Sequence, residues 1–165
     1  MHATTVIVMG VAGSGKTTVG QALAARLGWR FCDADDLHSA SNLAHLKHAR
    51  PLTDEDRQPW LERIRSVIEQ AQADDTATVI ACSALKERYR HSLTEGISAV
   101  RLVFLTASPA LIRQRLERRT SHVAGPAMLD SQLADLEPPH DALTLDASRP
   151  VDALVDAIVA DLRGA

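Results

Sequence analysis

The sequence predicts a three-layer α/β domain, a five-stranded parallel sheet with helices on both faces, and three observations carry that reading. Short β-branched apolar runs alternate along the chain with longer stretches of helical periodicity, which is the pattern of βαβ units with right-handed crossovers. The first such run, Thr4 to Met9, leads straight into a glycine-rich turn, Gly10 to Thr17 (GVAGSGKT), that fits the phosphate-binding spacing GxxxxGK[ST] at every fixed position. The chain of 165 residues, 45% of them hydrophobic, has the size and apolar content of one ordinary domain with its own core.

After the turn, Thr18 to Leu27 places Val19, Leu23 and Leu27 at helical spacing, and Gly28 supplies the C′ residue that ends the helix. Trp29 to Cys32 is a short strand that delivers Asp33, Ala34, Asp35 and Asp36 to the C-terminal edge of the sheet, where open α/β sheets bind ligands. Ser39 to His48 reads as a small, partly exposed helix closed by Arg50-Pro51. Thr53, followed three residues later by Asp56, resembles a capping box with Asp in place of Glu. The long helix it opens has Trp60, Leu61, Ile64, Val67, Ile68 and Ala71 on one face, and Pro59 is either tolerated near its start or marks a break.

A third strand spans Thr76 to Cys82, a helix Leu85 to Thr94 with Gly96 as its stop, and a fourth strand Val100 to Leu105. Pro109 opens the next helix, to about Arg118. From Arg118 to Pro139 the pattern weakens around a short helix at Met128 to Leu136, which makes residues 118–139 the candidate lid. Ala142 to Leu145 is the fifth strand, and Pro150 to Leu162 the closing helix. With no internal repeat or linker, residues 1–165 read as a single domain.

A net charge of -3 gives no electrostatic reason to expect nucleic acid. Two cysteines, Cys32 and Cys82, do not make a disulfide framework and read as buried free thiols. The N-terminus lacks a basic segment and a long apolar run, so a cytoplasmic protein without a membrane segment is expected.

Chance alone produces the glycine-rich motif in a shuffled chain of this composition about once in a thousand. Its successive backbone N–H groups and the positive end of the following helix form an anion site. Lys16 is one of only three lysines against fifteen arginines, and a compact ammonium suits a phosphate cradle. It would reach the β- and γ-phosphates of a nucleotide, with the Thr17 hydroxyl on Mg²⁺. The motif by itself does not choose among kinase, GTPase, ATPase motor and regulator. No NKxD-type guanine-reading sequence is present, and the third strand ends in Cys82-Ser83 rather than an Asp.

The carboxylates follow the second strand instead, with Asp33 placed to hold Mg²⁺ through water and Asp35 to accept a substrate hydroxyl proton. His38 is as readily a structural histidine as a hydrogen-bond partner of a hydroxylated substrate. His45 and His48 read as surface histidines. Arg57 lies in a first helical turn, against the dipole preference, and with Lys86 and Arg90 makes a candidate clamp for an anionic acceptor.

DADDLH from Asp33, PLTDEDRQPWL from Pro51, CSALKERYR from Cys82, and the Arg119, His122, Met128-Leu129-x-Ser131-Gln132 series ending LEPP together resemble the gluconokinases of the P-loop type, over nearly the whole chain. The chain departs from the usual family residues at Ser39, His45-Leu46, Ala49 and Ser121-His122-Val123. The resemblance implies a P-loop kinase fold with a small helical lid, related to shikimate and nucleoside-monophosphate kinases. It implies ATP- and Mg²⁺-dependent phosphorylation of D-gluconate at the 6-hydroxyl. ATP would then be bound by Gly10, Val11, Ala12, Gly13, Ser14, Gly15, Lys16, Thr17 and Thr18, with Arg149 and Pro150 near the base and the lid arginines Arg115 and Arg119 over the transferring phosphoryl group.

Catalysis would fall to Lys16, Asp35 and the lid arginine Arg119 or its neighbour Arg118, and the metal to Thr17 and Asp33. Gluconate would meet Asp35, His38, Arg57, Lys86, Arg90 and His122. A homodimer is also implied. A kinase for another small anionic acceptor, such as shikimate, and a nucleotide-binding regulator without turnover remain as alternatives.

Overall fold

The computed structural model describes residues 3–48, 50–119 and 128–165. Among these residues, β1 (Thr5–Met9), β2 (Arg30–Asp33), β3 (Thr78–Ala81), β4 (Val100–Thr106) and β5 (Leu143–Asp146) pair in parallel in the order β2-β3-β1-β4-β5. They are joined by α1 (Lys16–Leu27), α2 (Ala40–Lys47), α3 (Asp54–Ala73), α4 (Glu87–Thr94), α5 (Pro109–Glu117) and α6 (Leu129–Asp135), with α7 (Val151–Arg163) closing the chain. A 3₁₀ turn, Ala34–Leu37, follows β2. The expected three-layer α/β fold is the one observed.

Burial on both faces explains why β1 and β3 read as unbroken apolar runs rather than alternations. Alternate residues feed two cores. Val6, Val8, Val79, Val103 and Leu105 meet Val19 and Leu23 of α1 and Leu154 and Ile158 of α7. Ile7, Met9, Ile80 and Phe104 meet Trp60, Leu61, Ile64 and Ile68 of α3 and Tyr89 and Leu93 of α4. A third cluster packs Ile112 and Leu116 of α5 and Leu129 of α6 against Val11, Ala12 and Leu85, over the C-terminal edge of the sheet. That edge carries the site.

The helix boundaries follow from their caps. Thr53 and Asp56 form the reciprocal box, with Asp56 N–H donating to Thr53 Oγ1 at 3.1 Å and Thr53 N–H to Asp56 Oδ2 at 3.0 Å. Ser39 and Ser108 cap α2 and α5 through Asn42 N–H (3.0 Å) and Leu111 N–H (3.2 Å). Pro59 does not break α3, which runs on through it; at the sixth helical position it removes one early hydrogen bond on an exposed surface.

Three expectations are corrected. Of the two free thiols only Cys82 is buried, and Cys32, on the edge strand β2, is partly exposed. The helix read from Leu85 begins at Glu87, because Ala84 is left-handed (φ 44°) and Lys86 is extended (φ -98°, ψ 144°). Asp35 sits on the 3₁₀ turn, not in an extended segment, because Asp33 closes β2 and caps that turn.

Among the described residues no helix is long and apolar enough to cross a membrane.

Candidate functional site

The turn from Gly10 to Gly15 folds back over the end of β1 through backbone contacts that only small residues permit. A Cβ on Gly10 would lie 2.8 Å from the Leu105 carbonyl and 2.7 Å from Ser14 Oγ. Gly15, with φ 97°, takes the left-handed conformation from which α1 starts. The first turn of α1 has neither a side-chain cap nor an acidic residue, so its N–H groups and dipole are left for an external anion. Ser14 Oγ, buried in the same loop, has no hydrogen-bond partner among the described residues, a polar atom suited to a bound phosphate.

Lys16 Nζ donates to the Val11 carbonyl at 3.1 Å and lies along the loop. Burial pushes its ammonium below the usual lysine range, opposed first by the charge of Asp35. Thr17 Oγ1 donates to Asp33 Oδ2 at 2.8 Å, and Asp33 Oδ1 accepts the Asp35 N–H at 3.0 Å. Thr17 and Asp33 thus present two hard oxygens side by side, the donor type Mg²⁺ takes together with phosphate oxygens and water. Among the described residues no cluster of three His, Cys, Asp or Glu side chains is placed to hold a metal.

One cleft is lined jointly by this loop, at Ala12, Gly13, Gly15, Lys16 and Thr17, and by Asp35, His38, Arg57, Trp60, Tyr89, Arg119 and Gln132. Trp60 is held by its indole N–H on the Ala34 carbonyl (2.7 Å), and the His38 ring stacks on it at 4.3 Å. The Asn42 amide nitrogen donates to the Asp56 carbonyl at 2.9 Å and lies 3.4 Å from His38 Nδ1. This orients Asn42 as the donor and leaves the imidazole proton on Nε2. Burial, then the Arg57 and Arg63 charges, push the His38 pKa down to about 4, so the ring is neutral at pH 7. Arg57 donates to the Tyr89 hydroxyl at 2.8 Å, pairs with Asp135 at 3.3 Å, and lies over the Tyr89 ring.

A second recess adjoins the first on the other side of the loop, lined by Gly13, Gly15, Thr18, Arg115, Arg119, Ala147 and Arg149. Arg115 reaches the Gly13, Ser14 and Ala147 carbonyls at 3.5, 3.4 and 2.7 Å, tying the loop to the β5–α7 connection. Arg119 lines both recesses.

A family model described as an AAA domain matches residues 6–139. A gluconokinase of Gluconobacter oxydans (strain 621H) is 41% identical over 135 residues, which cover 82% of this chain and 76% of the relative. The chain belongs to the gluconokinase family. The crystal structure of a gluconokinase from Sinorhizobium meliloti 1021 superposes with a TM-score of 0.85 at 35% identity, over 98% of this chain and 93% of that one. An unliganded sugar kinase from Janibacter sp. HTCC2649 gives 0.91 at 37%, over 98% and 95%.

Within this gluconokinase fold the structure gathers Lys16, Thr17, Asp35, His38, Arg57 and Arg119 around one cleft and does not gather Lys86 and Arg90 with them. Lys86 Nζ pairs with Asp54 at 3.2 Å and lines a separate surface depression with Arg88. Arg90 is buried, and its guanidinium donates to three backbone carbonyls, Ala84 (2.8 Å), Leu85 (3.0 Å) and Glu137 (2.7 Å). It ties the left-handed Ala84 loop to the segment just after α6, which takes up three of its five N–H donors. Pro150 caps α7 next to Arg149 without lining the recess. His122 lies outside the described residues, as does part of the lid.

Three residues went unassigned in the sequence. Gln132 Oε1 accepts the Ala12 N–H at 2.6 Å, Tyr89 packs under three cations, and Asp135 meets Arg57. Gln132 carried a signal, as part of the family series; Tyr89, the chain's only tyrosine, carried the weaker one of a lone aromatic in a basic stretch.

Proposed function

We propose that this chain transfers the γ-phosphoryl group of ATP to the 6-hydroxyl of D-gluconate, giving 6-phospho-D-gluconate and ADP. The observation that carries the reading is the sharing of one cleft by the phosphate loop and by Asp35, His38 and Arg57, in a chain of this family. Loop amides and Lys16 hold the triphosphate, and Arg115 and Arg149 flank the nucleoside. Thr17 and Asp33 would hold Mg²⁺, which when bound would offset the negative charge of the phosphates. Arg57 takes the gluconate carboxylate, and the Nε2 proton of neutral His38 donates to a hydroxyl.

Asp35 accepts the 6-hydroxyl proton as the new O–P bond forms. The bond to the β,γ-bridging oxygen breaks, and its electron pair leaves on ADP. Because the transition state is loose, most of the acceleration comes from positioning and from Lys16 and Arg119 facing the developing charge.

Relatives that bear the gluconokinase name do not favour the two other readings, a different anionic acceptor or a regulator without turnover. The test is coupled ADP release over a panel of sugar acids and shikimate. Gluconate is expected to give the highest kcat/KM. A maximum on shikimate, or a flat response with ATP binding intact, overturns the assignment.

A further inference from the structure

We propose that Asp135 is a specificity-determining residue, which occupies Arg57 as an internal carboxylate that an anionic acceptor has to displace. This rests on the reading of Arg57 as the partner of the acceptor carboxylate. Asp135 is the last residue of α6, and its Oδ2 lies 3.3 Å from one terminal nitrogen of Arg57. The pair is largely withdrawn from water, with side-chain exposures of 11% for Arg57 and 26% for Asp135. The other terminal nitrogen is fixed on the Tyr89 hydroxyl at 2.8 Å, and that hydroxyl in turn donates to Asp54. Arg57 is therefore anchored on one side by a buried aromatic and on the other by a carboxylate of α6, the short helix within the candidate lid.

A guanidinium fork binds one carboxylate well. The arrival of gluconate exchanges one carboxylate for another, so its charge contributes little net affinity and its hydroxyl contacts decide binding. A small anion without those hydroxyls has no means of displacing Asp135. The pair thus screens the cleft against simple carboxylates, whereas an uncharged polyol neither gains nor loses by it.

The experiment compares Asp135→Asn with the unmutated protein by calorimetric titration of gluconate, of D-glucitol as the uncharged counterpart, and of acetate, alongside steady-state kinetics and melting temperature. With the competing charge gone and the side-chain shape kept, gluconate should bind about three- to tenfold more tightly, the range expected for a partly shielded ion pair. KM for gluconate should fall in step while kcat changes less. Acetate should become a measurable competitive inhibitor, and D-glucitol affinity should stay within about twofold.

An unchanged or weakened gluconate affinity at an unshifted melting temperature overturns the proposal. Asp135→Ser serves the same purpose if the Asn protein does not fold, and Asp135→Glu, which keeps the charge, should restore the unmutated affinity. Arg57→Gln separates the two levels. If it leaves gluconate affinity untouched, the reading of Arg57 fails; if it weakens gluconate while Asp135→Asn does not tighten it, only the role of Asp135 fails.

Discussion

At the scale of single residues, Lys16 is a cation held against its own loop by the Val11 carbonyl, poised to move its charge onto phosphate. Lys16→Ala should keep its fold and lose on the order of a hundredfold or more in kcat, because transfer through a loose transition state depends on electrostatic stabilisation. Near-normal turnover in a folded variant would contradict the assignment. Asp35→Asn should lose about 10³-fold in kcat with ATP affinity nearly intact. Asp33→Asn, which removes an oxygen beside Thr17, should instead raise the Mg²⁺ concentration needed for half-maximal rate; kcat against gluconate and against Mg²⁺ tells the two apart.

His38 gives a pH signature. Its folded pKa of about 4 lies below the ordinary 6.5, so between those values the unfolded chain binds the proton that the folded chain refuses. Stability from this group is complete above about pH 6.5 and is lost as pH falls toward 4. Urea titrations at pH 7 and 4.5 should show a loss on the order of 2 kcal/mol that His38→Gln lacks.

At the scale of elements, the β3–α4 connection and α6 form one assembly through Arg90. Arg90→Met leaves the buried Ala84 and Leu85 carbonyls and the partly buried Glu137 carbonyl without that donor and should cost about 3 kcal/mol, read as a lowered melting temperature. Arg90→Lys should not restore it, since a point-like ammonium does not span three acceptors. Gln132→Ala frees the Ala12 N–H and should raise KM for ATP about three- to tenfold.

The elements themselves were legible in the sequence because their signals are local. The Thr53/Asp56 box, the Ser39 cap and Gly28 lie within a few residues of the turns they control, and a parallel sheet announces itself in unbroken apolar strands. The phosphate loop and the Asp33 and Asp35 pair were legible for the same reason. What Arg90 does depends on a carbonyl 47 residues away, and what Gln132 does on an amide 120 residues away. Such pairings are set by how α6 settles on the loop, and residue spacing carries no trace of that. Lys86 and Arg90 looked like neighbours on one helix face only while the helix was taken to start at Leu85; Lys86 is instead the extended N-cap of α4, outside the helix that carries Arg90.

At the scale of the whole molecule, the ends of β1, β2 and β3 meet at one edge of the sheet, so ligand binding and global stability are linked there. Nucleotide at about a hundred times its dissociation constant should add about 2.7 kcal/mol, a rise of a few degrees in melting temperature. Lys16→Ala should lose much of that rise yet keep the rise due to gluconate. Cys82 sits at the same edge, 1% exposed, its thiol pushed up to about 12 by burial. At neutral pH the thiol therefore stays protonated and unreactive, and reagent has no path to it while the sheet end is closed. Alkylation of Cys82 is therefore a clock. Its rate under native conditions counts how often the top of the sheet breathes open, and the slowing of that clock by ATP, gluconate or both gives the share of the site's rigidity that each substrate brings with it.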